Sequence, residues 1–467
     1  MGLIRSLTIG ASSLISHQSK FDVISNNLAN ASTAGYKSDR ANFADQFSQT
    51  RTRGKASEST ALKYANGGVD PLQFGLGVKL ASISRDFSQG VIEATNRPLD
   101  VALQGDGFFI VTYNGQQRFS RSGAFTRDNE GFIVDTNTGA FVQGYNVASD
   151  ENGIVQRTSD GKNILDRTLS NINIPYNTVS LPRQSQEITL RGNLNAEAIP
   201  GYDSTRKTSM TIYDQSGAAR TLSFTFQKTE NPEEWLFGVE LDGVALAGTQ
   251  GDIYLHPNDP TITLPAFGVV NFNPDGTLSS IVPPNPNPAR PFVVVFPAGT
   301  FLDANGNVDK FPENMYVQFA APNNLSQGLK QYSADSNANF ESQDGFTLGE
   351  LENMEVDALG RILGEFTNGQ TEVLGQIAMA RFANNEGLTR TGNNYYSQAP
   401  NSGDPVIGTA VDIFHTTYMV GRSLEMSNVD LTAQFTDMIS TQRAFEAASR
   451  TVTVSDTLLQ EINQLKR

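Results

Sequence analysis

The chain has no cysteine in 467 residues and only three histidines, at positions 17, 256 and 415. The missing thiols exclude disulfides, a thiol nucleophile and a cysteine-ligated metal site. Apolar runs long enough for a transmembrane helix are also missing, and no small-residue cleavage site follows a continuous apolar segment near the N-terminus. We therefore expect no membrane-spanning helix and no cleaved secretory signal.

Positive charge is scarce as well, with 34 Lys and Arg against 49 Asp and Glu and a net charge of −15. An acidic chain has little electrostatic attraction to nucleic acid or anionic lipid, so neither is predicted as a partner. Motifs for catalysis are incomplete: the Gly-x-Gly pairs at 75–77 and 105–107 lack a third glycine, and 303–309 lacks the ligand spacing of a calcium loop. The sequence predicts no enzyme activity, no catalytic residue, no cofactor and no metal.

Apolar residues recur at heptad spacing near both ends of the chain. The predicted interface residues are Leu7, Leu14, Phe21, Leu28, Leu431, Phe435, Met438, Phe445, Val452 and Leu459. The first set predicts a helix of about 28 residues that ends near Asn30. The second set, with Leu424 one heptad earlier, predicts a helix that follows a capping box at Ser427 and Asp430 and runs to about Leu465. Gly10 and His17 interrupt the N-terminal stripe.

Two interpretations of these helices remain open from spacing alone. They could form a two-helix coiled coil that closes an ordinary globular protein. They could instead be subunit contacts in a polymer, because an isolated pair of this length exposes more apolar surface than a monomer usually tolerates.

Between the ends the apolar periodicity is two, which is typical of β-strands. We predict strands at 108–111, 222–226, 292–296 and 316–319. Turns in which Asp or Asn is followed three residues later by Gly are predicted at 128–131, 214–217, 273–276 and 357–360. Trp235 is expected in a core, and residues 37–90 are expected to form an extended connector.

The segment 26–37 resembles the N-terminal signature shared by bacterial flagellar rod and hook proteins. The residues that carry this resemblance are Asn26, Asn27, Asn30, Thr33, Gly35, Tyr36 and Lys37. Further segments that resemble the family lie at 99–109, 211–217, 374–377, 382–388 and 427–431. The resemblance therefore extends over essentially the whole chain.

The resemblance implies an α+β fold, in which paired, coiled-coil-like N- and C-terminal helices flank two inserted β-rich domains of barrel or sandwich type. The implied domains are a helical polymerisation domain (1–36 and 424–467), a connector (37–90), a discontinuous first β-domain (91–165 and 339–423) and an inserted outer β-domain (166–338).

The implied function is that of a structural subunit, which polymerises into the curved, flexible tube that joins the flagellar rod to the filament and transmits torque. The implied partners are further copies of the chain, the distal rod, hook cap, hook–filament junction and hook-length control proteins, and the flagellar type III export apparatus. The implied location is extracellular, in the flagellar hook. The alternatives are a distal rod or junction protein of the same family, or a secreted enzyme or adhesin on a β-scaffold.

Overall fold

The computed structural model describes residues 2–55, 68–148, 155–158, 163–248, 250–256, 261, 263–287, 290–298, 300, 311, 313–320, 327–410 and 417–465. Near each end of the chain is a long helix, α1 (Gly2–Ala29) and α2 (Leu431–Leu465), and the part between them is rich in β-strands. This arrangement confirms the predicted helix at each end and the β-rich middle. The segment 303–309, which lacks the ligand spacing of a calcium loop, lies outside the described residues.

Helix α1 ends where the sequence predicts. Its apolar heptads run without a proline to Asn30, whose N–H donates to the carbonyl oxygens of Asn26 at 3.2 Å and Asn27 at 3.1 Å. Polar side chains that compete for backbone hydrogen bonds follow this position, and such residues end helices. The predicted end near Asn30 is confirmed.

Helix α2 begins later than the sequence predicts, so the capping box at Ser427 was wrong. Asp430 is the N-cap, and its Oδ1 accepts hydrogen bonds from the N–H groups of Thr432 (2.8 Å) and Ala433 (3.1 Å). Ser427 lies before the helix, where its Oγ accepts from the N–H of Val429. Leu424 also lies outside, on a strand, so the helical heptads start at Leu431.

The strands up to residue 171 are β1 (Asp39–Asp45), β2 (Ser48–Thr52), β3 (Leu72–Gly75), β4 (Val78–Arg85), β5 (Ile92–Ala94), β6 (Val101–Gln104), β7 (Phe108–Tyr113), β8 (Gln116–Ser120), β9 (Phe125–Arg127), β10 (Ile133–Asp135), β11 (Phe141–Asn146) and β12 (Ser170–Asn171). Strand β1 pairs antiparallel with β4, and β2 with β3, so much of the predicted connector is a two-stranded ribbon.

The next strands are β13 (Val179–Ser180), β14 (Glu187–Asn195), β15 (Arg206–Tyr213), β16 (Ala219–Lys228), β17 (Glu234–Leu241), β18 (Val244–Ala245), β19 (Asp252–Tyr254), β20 (Thr263–Pro265), β21 (Gly268–Phe272), β22 (Leu278–Val282), β23 (Val293–Phe296), β24 (Met315–Gln318), β25 (Leu329–Tyr332), β26 (Asn339–Gln343) and β27 (Gly349–Val356). The remaining strands are β28 (Arg361–Phe366), β29 (Thr371–Ile377), β30 (Met379–Arg381), β31 (Thr389–Gly392), β32 (Tyr395–Ser397), β33 (Val406–Gly408), β34 (Tyr418–Gly421) and β35 (Ser423–Glu425). Each predicted strand overlaps one of these elements, although Phe292 lies just before β23 and Phe319 just after β24.

The chain divides into two compact units. The first comprises residues 1–176, 353–365 and 371–467. Its main sheet has the order β28-β29-β11-β7-β8-β32-β31, and β5 and β6 pair with β35 and β34 just before α2. Its core contains Phe108, Phe119 and Phe382, whose rings meet edge to face.

The second unit comprises residues 177–352 and 366–370. One sheet has the order β15-β16-β17-β21-β22, and another has β14 between β24 and β25. Phe224 and Phe237 stack with ring centroids 5.8 Å apart in the core between these strands, which also buries Trp235 as predicted. The domain boundaries inferred from the sequence, and barrel-like closure of the β-domains, remain predictions.

The predicted Asp/Asn-to-Gly turns are confirmed at all four positions. Gly131, Gly217, Gly276 and Gly360 have φ between 76° and 92°, and each N–H donates to the carbonyl of the Asp or Asn three residues earlier. Glycine adopts this left-handed conformation without a Cβ clash. Within the described residues, neither helix carries an apolar stretch long enough to cross a bilayer.

Candidate functional site

The two terminal helices pack against each other with opposite chain directions. Three side-chain contacts run along the pair: Ser6 Oγ to Ser455 Oγ at 3.0 Å, Lys20 Nζ to Asp437 Oδ1 at 3.2 Å, and Asn27 Nδ2 to Gln434 Oε1 at 3.2 Å. As the residue number on α1 rises, the residue that it contacts on α2 lies nearer the start of α2. The two helices are therefore antiparallel. We call this surface between α1 and α2 the seam.

Small residues bring the helices closest together. A Cβ added to Gly10 would lie 2.7 Å from Val452 Cγ2 and 3.6 Å from the carbonyl oxygen of Ala448. Thr441, Ala448 and Ser455 are buried and stand at heptad spacing on α2. Gly10, which interrupts the N-terminal apolar stripe, therefore lies where the two helices are too close to accommodate a side chain on α1.

The predicted interface residues fall into two groups. Six are half-buried in the subunit: Leu7, Leu14, Leu28, Met438, Val452 and Leu459. The other four are exposed: Phe21 by 40%, Leu431 by 46%, Phe435 by 49% and Phe445 by 42%. The helix pair leaves large apolar side chains uncovered, and the assignment of all ten to a polymerisation interface remains a prediction.

Other exposed apolar residues widen this uncovered surface. They are Ile4, Ile15, Ile439, Val454, Leu458 and Ile462. On α2 they continue Leu431 and Phe435 at spacings of four residues, as in 431, 435, 439 and again in 454, 458, 462. A heptad template misses Ile4, Ile15 and Val454, whereas a search for apolar residues at i and i+4 would have included Val454.

Beyond the seam, Lys37 of the family signature lies in a buried ionic cluster. Its Nζ contacts Glu425 Oε1 at 2.6 Å and donates to the carbonyl oxygen of Ser88 at 2.6 Å. Arg121 Nη1 lies 3.4 Å from Glu425 Oε2, and the Gly90 N–H donates to Oε1 at 2.8 Å. One carboxylate therefore pairs with two cations. We call Lys37, Arg121 and Glu425 the Glu425 cluster.

Burial controls the electrostatics of this cluster. The side chains of Lys37 and Glu425 are 0% exposed and that of Arg121 is 1% exposed. Loss of solvation lowers the pKa of Lys37 and the pKa of Arg121, and the Glu425 carboxylate opposes both shifts. Without that carboxylate the cluster would contain two neighbouring cations with no counter-charge.

Gly35 allows the chain to reach this cluster. Its φ is +71°, its N–H donates to the Glu425 carbonyl at 2.7 Å, and an added Cβ would lie 2.5 Å from the Ser122 nitrogen. A side chain at Gly35 would therefore clash with backbone as well as strain the left-handed conformation. The signature glycine has a steric role.

The signature asparagines form a polar network at the end of α1. Tyr36 Oη donates to Asn27 Oδ1 at 3.1 Å and accepts from Asn26 Nδ2 at 3.0 Å. Asn27 also exchanges hydrogen bonds with the backbone of Asp39, at 2.8 and 2.9 Å. Since Asn27 also donates to Gln434 on α2, this network fixes the end of α1 against the start of α2.

Two further signature residues extend this network. Asn30 Nδ2 donates to the Asn26 carbonyl oxygen at 2.9 Å, and Thr33 Oγ1 donates to Asn30 Oδ1 at 3.3 Å. The signature thus folds back on the last turn of α1. Its role in this structure is to terminate the helix and redirect the chain.

Several residues around the signature were not found from the sequence. Arg390 lies over the Tyr36 ring at 4.8 Å and contacts Asp39 Oδ2 at 3.1 Å, while Arg85 Nε contacts Asp39 Oδ1 at 3.0 Å. Arg121 and Glu425 were also missed, because 304 and 388 residues separate Glu425 from its two cations. The residues around Glu425 gave no signal of the cluster, because Leu424, Glu425 and Met426 have the apolar–polar alternation of a half-buried strand, which predicts an exposed glutamate.

His17 is half-buried on α1, and its Nδ1 has no hydrogen-bond partner among the described residues. Burial, with a smaller contribution from Lys20, lowers its pKa. In the part of the chain that the structure describes, no three or more His, Asp or Glu side chains are grouped to hold a metal ion. The absence of metal, cofactor and catalytic residues remains a prediction.

Four family models match successive parts of the chain. They are described as flagella basal body rod protein (residues 7–37), flagellar hook protein FlgE/F/G D1 domain (102–193), flagellar basal body protein FlaE D2 domain (191–346) and flagellar basal body rod FlgEFG protein C-terminal (420–465).

Curated relatives match along the whole length. The flagellar hook protein FlgE of Treponema pallidum is 33% identical and covers 100% of both chains. That of Borreliella burgdorferi is 32% identical, covering 99% of this chain and 100% of the relative. That of Escherichia coli is 30% identical over 95% of this chain and 96% of the relative.

Proposed function

The chain belongs to the flagellar hook protein family and is a self-polymerising structural subunit of the bacterial flagellar hook, and from this premise we propose how its helices build the polymer. The seam is the contact within one subunit, of coiled-coil type. The uncovered apolar side chains of α1 and α2 are the contacts between subunits. The distal rod or junction protein and the secreted enzyme or adhesin are not favoured, because the relatives named hook protein match the whole chain.

The observation that carries this proposal is the apolar surface left on the helix pair. Phe21, Leu431, Phe435 and Phe445 are each at least 40% exposed although they lie on long helices that already pack together. Exposed apolar patches of this kind mark interaction sites. Contacts between unlike faces of successive copies produce an open helical polymer when the rotation between copies does not close a ring.

The remaining features of the proposal follow from the family. The tube is curved and flexible, joins the rod to the filament and transmits torque, and the β-rich units lie on its outside. The subunit works outside the cell, where it meets the rod, cap, junction and length-control proteins after type III export. It has no enzyme activity, and its net charge of −15 favours solubility during this route.

The test compares Phe445→Ala with Glu446→Ala, a control at the neighbouring position, which is also exposed. Truncation of a phenylalanine that becomes buried costs about 3–5 kcal/mol. The cost recurs at every addition step, so the critical concentration for polymerisation should rise by at least roughly a hundredfold. Loss of an exposed charge costs about 0–1 kcal/mol, so Glu446→Ala should polymerise nearly as the unchanged chain does.

Polymer is measured by sedimentation of purified subunit in concentrated sulfate, a salt that strengthens apolar association, and by negative-stain microscopy. If Glu446→Ala is the more damaging substitution, the uncovered apolar surface is not the interface. If the unchanged chain forms no polymer under any condition, the proposed assembly mechanism is wrong.

A further inference from the structure

His17 is a titratable side chain at the seam, and the register of the two helices shows what it faces. Gly10, one heptad before it on α1, lies where an added Cβ would be 3.6 Å from the carbonyl oxygen of Ala448. Because the helices are antiparallel, a step of seven residues forward on α1 corresponds to a step of seven residues back on α2. His17 is therefore placed opposite Thr441, which stands seven residues before Ala448.

These two facing side chains both have a buried polar atom without a partner. Thr441 is 2% exposed, and its Oγ1 makes no hydrogen bond to any described residue. His17 Nδ1 is buried and likewise has no partner in the described part of the chain. A neutral imidazole leaves one uncharged polar atom unpaired here, whereas protonation would place a charged N–H in the same position. An unpaired buried charge costs more than an unpaired neutral group, so the position favours the neutral imidazole.

The charged groups of the two helices offer His17 no free counter-charge. Lys20 lies one turn further along α1, and after burial it is the second cause of the lowered pKa of His17. On α2, the carboxylate of Asp437 is already paired with Lys20 at 3.2 Å. Arg443 and Glu446 are exposed to solvent, which screens their charges. Protonated His17 would therefore be a second cation beside Lys20.

The ribbon that follows α1 does not supply a counter-charge either. It contacts α1 where Ser16 Oγ donates to the carbonyl oxygen of Val78 at 3.5 Å. The charged residues of the ribbon at this level are Asp45, which pairs with Val78 across the two strands, and Lys79. Both are exposed and their charges are opposite, so together they do not favour a protonated imidazole.

We propose that His17 makes the seam sensitive to mild acid, so that protonation of its imidazole weakens the pairing of α1 with α2 and thereby the polymer. This inference rests on the proposed function, in which the uncovered apolar side chains contact other copies while the two helices are paired. Histidine is the side chain that ordinarily changes charge between pH 5 and 8. The other two histidines, His256 and His415, lie in neither helix.

The direction and size of the effect follow from the number of protons bound. The lowered pKa means that paired helices bind this proton less tightly than separated helices, in which His17 has its ordinary value of 6.5. Assembly should therefore weaken as pH falls below that value. One proton per subunit limits the rise in critical concentration to about tenfold for each pH unit. A general effect of acid would have the opposite sign, because it reduces the net charge of −15 that makes copies repel each other.

The first experiment measures the critical concentration by sedimentation from about pH 7.5 to pH 5.5, where histidine titrates. The unchanged chain is compared with His17→Gln, which keeps a polar side chain that cannot take up a proton, and with the control His256→Gln, which removes an exposed histidine of the second unit. The critical concentration should rise as pH falls for the unchanged chain and for His256→Gln, and should not rise for His17→Gln. An equal rise in His17→Gln overturns the inference.

A second variant leaves the imidazole in place and decides the question if His17→Gln does not assemble. Lys20→Gln removes the neighbouring cation and frees the carboxylate of Asp437, and both changes favour protonated His17. The rise in critical concentration should move to lower pH or disappear, and an unchanged pH profile overturns the inference. A polymer of the unchanged chain that shows no rise below pH 6.5 overturns this inference while the proposed function stands. Failure of the unchanged chain to polymerise at any pH overturns both.

Discussion

The Glu425 cluster gives a sharp prediction about which of its members the fold depends on most. Glu425→Gln preserves the size of the side chain but removes the one negative charge that faces both Lys37 and Arg121, at 2.6 and 3.4 Å. All three side chains are buried, so water cannot replace the lost carboxylate. Breaking a buried ion pair in this way costs about 3–5 kcal/mol in the free energy of unfolding.

Lys37→Met is the matched comparison. It removes one of the two cations and leaves Glu425 paired with Arg121 and with the Gly90 N–H. The main loss is then the hydrogen bond from the charged Lys37 amine to the Ser88 carbonyl, which costs about 1.5–3 kcal/mol, and that carbonyl still accepts from Asn428 Nδ2 at 3.3 Å. We therefore expect Glu425→Gln to be the more destabilising substitution although both remove one charge.

The assay is guanidinium unfolding of purified subunit, followed by far-UV circular dichroism and by tryptophan fluorescence. The chain has a single tryptophan, Trp235, which lies in the core of the second unit and so provides an internal reference. The circular dichroism transition should move to lower denaturant in Glu425→Gln, and the fluorescence transition should not move. If Lys37→Met is equally or more destabilising, the carboxylate is not the central member of the cluster.

Three further predictions follow from the seam and from the same cluster. Gly10→Ala should lower the melting temperature because its Cβ meets Val452, although alanine favours a helix by about 1 kcal/mol over glycine. Adding Val452→Ala to the same chain should restore the melting temperature. An unchanged melting temperature of the single variant would contradict the close packing of the two helices. Burial lowers the pKa of Lys37 in the folded chain, so the unfolded chain holds that proton more tightly, and stability should rise with pH as pH approaches the ordinary lysine value of about 10.5. Denaturation from pH 8 to 10.5 should show this rise in the unchanged chain relative to Lys37→Met, and parallel curves would refute it. In dilute subunit, residues 1–30 and 430–465 should exchange amide hydrogens faster than strand β7, because the helix pair leaves large apolar side chains without cover. Equal protection would show that the uncovered apolar surface does not weaken the helix pair.

The sequence by itself determined the elements whose signals are local. Heptad spacing and the absence of proline predicted α1 and its end near Asn30, and alternating apolar residues predicted the strands that contain Phe108 and Phe224. The Asp-to-Gly turns were predictable because each depends on a side chain and a backbone conformation within four residues. The start of α2 was misplaced, since Ser427 and Asp430 are both acceptable caps and the strand β35 occupies Leu424.

Only the tertiary structure decided which side of each helix packs in the seam and which structural role the residues of the family signature have. Heptad spacing gives the same weight to Val452, which meets Gly10, and to Phe445, which is left exposed; the small residues that let the helices approach decide between them. The Glu425 cluster was beyond reach for a related reason. Its members lie in separate parts of the chain, and the signal that unites them is burial, which exists only once α1, the ribbon and β35 have come together.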